Sequence, residues 1–283
     1  MDLISLLLSL RPLDGDRPAG SLPTWWGRAS QALALRVVQQ LDPTLAASLH
    51  EGSRLRPFTA STLMGPMERG RLDLGGRYAL RFTGLTQPVS QLLAQAAQPG
   101  GPLAPGATLH LDYQPFGVEG VQSDDHPWAG RAGYSQLAAA TLAAPPPRQL
   151  SFLLASPTSF RSAGKQVPLP LPELFFGSLV DRWNAFAPLA FPVEVRRYAA
   201  ECLAVARYSL RTRPVAAKEG GLRVGALGQI SYITLNYDRY WMGVLAALAD
   251  FARYSGVGGG ATMGLGQARR VWVREREGEG ERG

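Results

Sequence analysis

Cysteine and histidine are scarce in this chain of 283 residues. It contains one cysteine, Cys202, and three histidines, His50, His110 and His126, which are far apart and lack the spacing of a ligand set. A single cysteine excludes an internal disulfide bond and a cysteine-based metal cage. We therefore expect no metal site and no cofactor.

Long hydrophobic runs are also missing. No stretch reaches the roughly 18 to 20 consecutive apolar residues of a membrane-spanning helix. The apolar start, Met1 to Leu10, has neither the basic segment nor the cleavage site of a signal peptide, so it predicts a first β-strand. We expect no membrane partner and a location in a prokaryotic cytoplasm.

Lysine is almost absent, although the net charge is +7. Of the 29 basic side chains, only Lys165 and Lys218 are lysines. Arginine binds phosphate through two parallel hydrogen bonds and stacks on bases, which suits a nucleic-acid partner. A GC-rich genome would also favour arginine, and the abundance of Ala, Gly and Pro agrees with that reading. The charge alone does not identify a partner.

Glycine is concentrated in one stretch, with six glycines in the eleven residues from Gly256 to Gly266. Without a Cβ atom, such a loop can adopt positive φ and direct its N–H groups toward an anion, although a tight turn would also explain it. A phosphate-binding P-loop requires a lysine that is missing here, and a dinucleotide-binding loop follows a strand and precedes a helix. A nucleotide-dependent enzyme is therefore not expected.

The predicted elements repeat the order βαββαβ in each half of the chain. The first half predicts strands at Leu3 to Leu10, Phe58 to Leu63, Arg77 to Leu85 and Thr108 to Tyr113, and helices at Arg28 to Leu41, Pro88 to Ala97 and Tyr134 to Ala143. The second half predicts strands at Gln149 to Ala155, Leu203 to Arg213, Val224 to Leu235 and Ala268 to Arg274, and helices at Phe175 to Phe186 and Tyr240 to Tyr254. The three prolines at 145–147 indicate a linker. We expect an α+β protein of two tandem ferredoxin-like (RRM-like) domains, residues 1–147 and 148–283.

The glycine stretch fits the pattern Gly-x-Gly, five residues, Gly-x-Gly, at Gly256, Gly258, Gly264 and Gly266. It resembles the C-terminal loop of the repeat-associated RNA-binding (RAMP) superfamily of CRISPR systems. Further segments resemble the CRISPR repeat-processing endoribonucleases, the Cas6 family: Leu49-His50, Arg56 to Ser61, Phe152 to Phe160, Ser178 to Asn184 and Gly225 to Tyr232. The resemblance covers nearly the entire chain.

This resemblance implies two tandem ferredoxin-like domains and metal-independent cleavage of precursor CRISPR RNA within each repeat, leaving a 2′,3′-cyclic phosphate and a 5′-hydroxyl. RNA binding is expected at the four glycines of the pattern and at Arg269 and Arg270. The expected partner is CRISPR repeat RNA. Other subunits of a CRISPR effector complex and a second copy of the chain, forming a homodimer, are further candidates.

The cleavage chemistry points to His50. RNA carries its own nucleophile, the 2′-hydroxyl, so the protein has to position it, stabilise the developing charge and protonate the departing oxygen. His50, with Arg54 and Arg56 close behind it, supplies these groups, as general acid or base and as cations. Some family members add a tyrosine on the first helix, which this chain lacks, so the base is unassigned among Ser53, Ser61 and a distant tyrosine.

Most of these residues also have a purely structural interpretation. His50 would otherwise be a cap residue at a helix end, and His110 a structural residue within a strand. His126 follows two aspartates, which indicates a surface loop, although a metal-binding or second catalytic role stays open. Trp25 and Trp26 would stack on bases or plug the interface between the domains. The alternative function is a non-catalytic RNA-binding subunit of a CRISPR effector complex.

Overall fold

The computed structural model describes residues 1–14, 25–51, 55–68, 71–143, 145–216 and 221–272. The protein is α+β. Its strands are β1 Leu3–Pro12, β2 Phe58–Ala60, β3 Met67–Glu68, β4 Arg71–Leu72, β5 Tyr78–Gly84, β6 Thr108–Leu111, β7 Gln114–Gln122, β8 Gly130–Ala132, β9 Gln149–Thr158, β10 Phe160–Ser162, β11 Lys165–Val167, β12 Leu203–Ala216, β13 Leu222–Thr234 and β14 Ala268–Val271. Its helices are α1 Gly27–Leu41, α2 Pro43–Glu51, α3 Gln87–Ala96, α4 Tyr134–Ala143, α5 Pro172–Phe186, α6 Val195–Cys202 and α7 Arg239–Ser255.

The first antiparallel sheet has the order β2-β5-β1-β7-β6, and β8 also pairs with β1. The central strand β1 is buried along most of its length, which its unbroken apolar sequence requires. Its alternate residues Ile4, Leu6, Leu8 and Leu10 enter a core shared with α1 and α3.

The second antiparallel sheet has the order β12-β13-β9-β14. Its core is rich in aromatic rings, with Phe152 4.5 Å from Phe175 and 5.9 Å from Tyr232 between ring centroids. Strands β12 and β13 form a long hairpin, and β12 is exposed to solvent over most of its 14 residues. The hairpin therefore offers a broad, accessible surface.

Several elements in both halves differ from the sequence prediction. The segment Thr108 to Tyr113, predicted as the fourth strand, is the edge strand β6, and β7 takes the position beside β1. Strand β7 contains Pro115, Gly117 and Gly120, residue types that are depleted in strands, so only its pairing with β1 reveals it. Helix α6 and the hairpins β3–β4 and β10–β11 were also not predicted.

Helix α4 precedes the predicted linker, yet it packs with the second half. The Tyr134 ring lies 4.9 Å from Trp183 and 5.6 Å from Phe251, both in the second core. Its hydroxyl donates a hydrogen bond to the Leu85 carbonyl at 2.8 Å. Tyr134 therefore ties the first half to the second.

The two halves also meet where the end of α7 lies on the open face of the first sheet. Arg81 of β5 is 1% exposed and donates hydrogen bonds to the Arg253 carbonyl at 2.6 Å, to Ser5 Oγ at 3.2 Å and to Gln267 Oε1. Burial, helped by the neighbouring Arg253 guanidinium, lowers the pKa of Arg81 to about 9, so the side chain stays charged at neutral pH. The negative end of the α7 dipole favours that charge.

Candidate nucleic-acid interface

The glycine stretch is wedged between the two halves. On one side it lies against the start of α1, where Trp25 Nε1 donates a hydrogen bond to the Met263 carbonyl at 2.9 Å and Gln31 Nε2 donates to Thr262 Oγ1 at 3.1 Å. A Cβ atom on Gly27 would lie 1.8 Å from the Met263 oxygen, so only glycine fits there.

On its other side the stretch lies against the chain that leaves β2. Gly264 forms a β-bridge with Ser61, and a Cβ atom at Gly264 would lie 2.4 Å from the Thr62 nitrogen. Gly264 also has a φ of +80°, in the left-handed region. Both the backbone conformation and the close approach therefore require glycine at this position.

The other glycines of the pattern also pack within the protein. The amide of Gly256 donates to the Ala252 carbonyl at 2.9 Å, that of Gly258 to Ser178 Oγ at 3.1 Å, and that of Gly266 to the Pro157 carbonyl at 3.1 Å. These three amides could reach an anion only by breaking existing hydrogen bonds. Contact between the four glycines and RNA stays a prediction. In the structure these glycines pack against other parts of the protein.

Arg269 and Arg270 are neighbours on β14 and point to opposite faces of the sheet. Arg270 forms an ion pair with Asp250 at 3.2 Å and stacks on Trp272, with its guanidinium carbon 4.2 Å from the ring centroid. The Arg269 guanidinium lies 5.4 Å from the Trp128 ring, and desolvation, with the Arg253 charge adding to it, lowers its pKa. The two predicted RNA-binding cations thus occupy different surroundings.

The predicted catalytic segment begins at the end of α2. This helix starts at Pro43, and Asp42 caps it, because Asp42 Oδ1 accepts a hydrogen bond from the Leu45 amide at 2.8 Å. The backbone of His50 lies in the last turn of α2. The His50 side chain and all of Arg54 lie outside the described residues.

Arg56 is half-buried in the segment between α2 and β2. Ser61, which bridges to Gly264 of the glycine stretch, is five positions further along the chain, so the Arg56 backbone lies within about 18 Å of Ser61. Ser61, one of the candidate bases, is 1% exposed, and its Oγ accepts a hydrogen bond from the Arg81 amide at 2.8 Å. That hydroxyl is occupied within the sheet, and Ser53 lies outside the described part of the chain.

Trp25 and Trp26 have different roles. Trp26 is 1% exposed and packs edge-on against Phe116 in the first core, at 6.2 Å between centroids. Trp25 is half-buried and lines a cavity of about 420 Å³ between the start of α1, the end of the hairpin where β12 ends and β13 begins, and the glycine stretch. Other residues lining it are Arg28, Gln31, Val215, Arg223 and Met263.

Sequence reasoning did not single out Arg28 and Arg223. They are 195 positions apart, and no local spacing connects them. The guanidinium of Arg223 lies close to the glycine stretch, since a Cβ atom on Gly260 would lie 2.7 Å from Arg223 Nη1. The position of Arg28 at the start of α1, close to Trp25, is the signal in the sequence that could have drawn attention to it.

The arginines of the second half fall into two groups. Arg196 forms an ion pair with Asp181, and Arg197 lies 4.0 Å from Glu201. The other group, exposed on β12, comprises Arg207, Arg211 and Arg213. The Arg213 guanidinium lies 5.8 Å from the Trp25 ring, which brings the hairpin charge to the edge of the cavity.

The remaining histidines make local contacts. The His110 carbonyl on β6 accepts a hydrogen bond from Arg36 at 2.6 Å, and His126 Nδ1 accepts one from the Trp128 amide at 3.1 Å. Among the described residues, no group of three or more His, Cys, Asp or Glu side chains is placed to hold a metal ion. In the same part of the chain, every helix is too short or too polar to cross a membrane.

Comparison with known proteins agrees with this geometry. Residues 152–268 match the family model of the CRISPR-associated endoribonuclease Cas6. A Cas6 structure in complex with its product is 28% identical, with a TM-score of 0.74, over 96% of this chain and 100% of that one. The product complex of a Thermus thermophilus Cas6 is 26% identical, with a TM-score of 0.74, over 95% of this chain and 100% of that one.

A third Cas6 structure, of a variant with a histidine replaced by alanine, is 28% identical with a TM-score of 0.71 over 95% of this chain and 99% of that one. A more distant RAMP protein, 16% identical with a TM-score of 0.55, shares the fold. No curated protein matches this chain.

The two antiparallel sheets and the glycine stretch that lies between them form a fold shared with Cas6 structures. Residues 152–268 match the Cas6 family model, and nearly the entire chain is similar to Cas6 structures at 26% to 28% identity. The resemblance to the Cas6 family that the sequence predicts is confirmed.

Proposed function

We propose that this protein is a metal-independent endoribonuclease that cleaves precursor CRISPR RNA within the repeat. The observation that carries the proposal is the similarity of nearly the entire chain to Cas6 structures with product and with a substrate mimic, at 28% and 27% identity. The exposed arginines of β12 and the cationic cavity beside Trp25 supply a surface suited to RNA.

We further propose that residues 1–147 and 148–283 form two ferredoxin-like domains. The second sheet places its strands in the order β14-β9-β13-β12, and the first sheet contains β7-β1-β5-β2. In both sheets, these neighbouring strands are the fourth, first, third and second strands of a βαββαβ unit, counted along the chain. Strands β6 and β8 are additions to the first unit.

In the proposed reaction, the 2′-hydroxyl of the nucleotide before the cleavage site attacks the adjacent phosphorus. The bond to the 5′-oxygen breaks, leaving a 2′,3′-cyclic phosphate on one product and, after protonation, a 5′-hydroxyl on the other. His50 acts as general acid, or as base for the 2′-hydroxyl.

Arg56, with Arg54 as the competing candidate, would stabilise the charge that develops on the phosphate oxygens. The buried, hydrogen-bonded Ser61 is unsuited to act as the base. Ser53 and a tyrosine are left as candidates for that role. Contacts to RNA are assigned to Gly256, Gly258, Gly264, Gly266, Arg269 and Arg270. The proposed partner is CRISPR repeat RNA, together with effector subunits or a second copy of the chain.

The test is cleavage of repeat RNA from the same genome by the purified protein in EDTA. We expect the wild type to cut at one position and to leave a 2′,3′-cyclic phosphate, and a 2′-deoxyribose before that position to block the reaction. His50→Ala should lose at least about 100-fold in rate, the usual contribution of a general acid or base. His110→Ala, on the exposed edge strand β6, is the matched control.

Two results would contradict the proposal in different ways. Full activity in His50→Ala would remove the assignment of the histidine. RNA binding without any cleavage by the wild type would favour a non-catalytic RNA-binding subunit.

A further inference from the structure

The cavity beside Trp25 combines three kinds of surface. Trp25 presents an aromatic ring, held in place by the hydrogen bond from its indole nitrogen to the Met263 carbonyl. Apolar side chains of Val215, Met263 and Leu265 line it as well. Arg28 and Arg223 supply positive charge, and Arg213 lies over the Trp25 ring from the hairpin side.

This combination suits an unpaired nucleotide better than a purely apolar or purely anionic ligand. A base has an apolar π-face that stacks on an aromatic ring, and its phosphates require cations close by. The volume of about 420 Å³ lies at the lower end of the range for small-molecule sites, roughly 300 to 1,000 Å³. A helical duplex would not enter a cavity of this size.

We propose that this cavity holds one unpaired base of the bound RNA, stacked on Trp25, with the adjoining phosphates contacted by Arg28 and Arg223. The proposal rests on the proposed function, since it requires RNA as the ligand. It adds a specificity-determining site to the Cas6 chemistry. Because the glycine stretch forms one wall, a base in the cavity would also fix the RNA relative to the segment that follows His50.

The first measurement is the affinity of repeat RNA that carries a 2′-deoxyribose at the mapped cleavage site, so that binding is measured without cleavage. Trp25→Ala should weaken binding about 5- to 100-fold, as expected for the loss of one stacked base. Trp25→Phe keeps an aromatic face and should retain most of the affinity. Tyr113→Ala, which removes an aromatic residue that is 77% exposed in the β6–β7 turn, should have no effect.

Arg28→Ala should also weaken RNA binding. The difference in affinity between this variant and the wild type should become smaller as the salt concentration rises. Arg77→Ala removes another exposed arginine, outside the cavity, and serves as the charge control. Thermal unfolding of each variant separates loss of binding from loss of folding.

A double-mutant cycle between protein and RNA decides the question. Abasic sites are placed one at a time along the RNA, and each is combined with Trp25→Ala. At one position, the two losses should not add, because the abasic site has already removed the stacked base. Additive losses at every position, or unchanged affinity of Trp25→Ala, would overturn the base site. Either outcome would leave the endonuclease proposal intact if the wild type cleaves.

Discussion

At the scale of single residues, two separate reasons can require glycine at a position: a left-handed backbone conformation and a close contact with a neighbouring segment. Gly264 and Gly100 have nearly the same backbone conformation, with φ of +80° and +81°. A Cβ atom on Gly100 would meet nothing within 4 Å, whereas one on Gly264 would lie 2.4 Å from the Thr62 nitrogen. The pair separates conformational strain from steric clash.

We predict that Gly100→Ala lowers the free energy of unfolding by about 1 to 2 kcal/mol, the cost of a left-handed conformation for a residue with a Cβ atom. Gly264→Ala should cost at least about 2 kcal/mol more, because the backbone of the β2 exit must also move. Urea unfolding of both variants measures the difference. Equal losses would show that the close contact at Thr62 contributes nothing.

Trp25 and Trp26 illustrate what the sequence could and could not predict about the site. Adjacent aromatic residues before a helix suggest either packing or stacking, and the sequence cannot assign one role to each. The structure does so because α1 turns Trp26 into the first core and leaves Trp25 at the cavity. Apart from Arg28 and Gln31, the residues that line the cavity with Trp25 come from the second half of the chain, beyond the reach of any local pattern.

At the scale of secondary structure, several helices were predictable from the sequence. Helix α4 matches its predicted bounds, and α3 and α7 agree within one residue at each end. Helix α6 was not predicted, although its buried residues Val195, Tyr198 and Ala199 have helical spacing. Its length of 8 residues is too short for a pattern to stand out.

Helix α2 carries His50, the proposed catalytic residue. Asp42→Ala removes the acceptor of the Leu45 amide, so we predict a loss of about 1 kcal/mol in stability and a lower cleavage rate. Asp238→Ala removes the equivalent cap of α7, where Asp238 Oδ1 accepts from the Trp241 amide at 2.9 Å. It should lose similar stability with a smaller effect on the rate of RNA cleavage. Parallel urea unfolding and single-turnover cleavage check both.

At the scale of the whole molecule, the relative position of the halves depends on polar contacts that the sequence does not reveal. In β5, the apolar Leu80 and Phe82 alternate with Arg81 and Thr83, a pattern that is typical of a strand whose polar side chains face solvent. In the structure that face is covered by the end of α7, and Thr83 Oγ1 donates to the Tyr254 carbonyl at 2.7 Å beside it. The burial of this face of β5 depends on how the two halves pack together, so the sequence of the strand alone does not reveal it.

Replacing Arg81 with methionine should therefore destabilise the protein. The Arg253 carbonyl and Gln267 Oε1 would lose a buried donor, which costs about 1 to 3 kcal/mol, although the desolvation of the charge is relieved. Arg77→Met, at a side chain that is 85% exposed, should change stability by less than about 0.5 kcal/mol. Urea unfolding at neutral pH provides the comparison, and equal stability of the two variants would contradict the proposed role of Arg81 at the interface.

We expect the exposed arginines of β12 to attract RNA at long range, so their charges should appear in the salt dependence of binding. Counterion release makes the logarithm of the affinity fall linearly with the logarithm of the salt concentration, with a slope of nearly one for each phosphate neutralised. Replacing Arg207, Arg211 and Arg213 by alanine should reduce that slope by about one to three and weaken binding at low salt. Replacing Arg196 and Arg197, which already face Asp181 and Glu201, should change the slope much less. Affinities measured across a salt series test both sets, and an unchanged slope in the β12 variant would place the RNA on another surface.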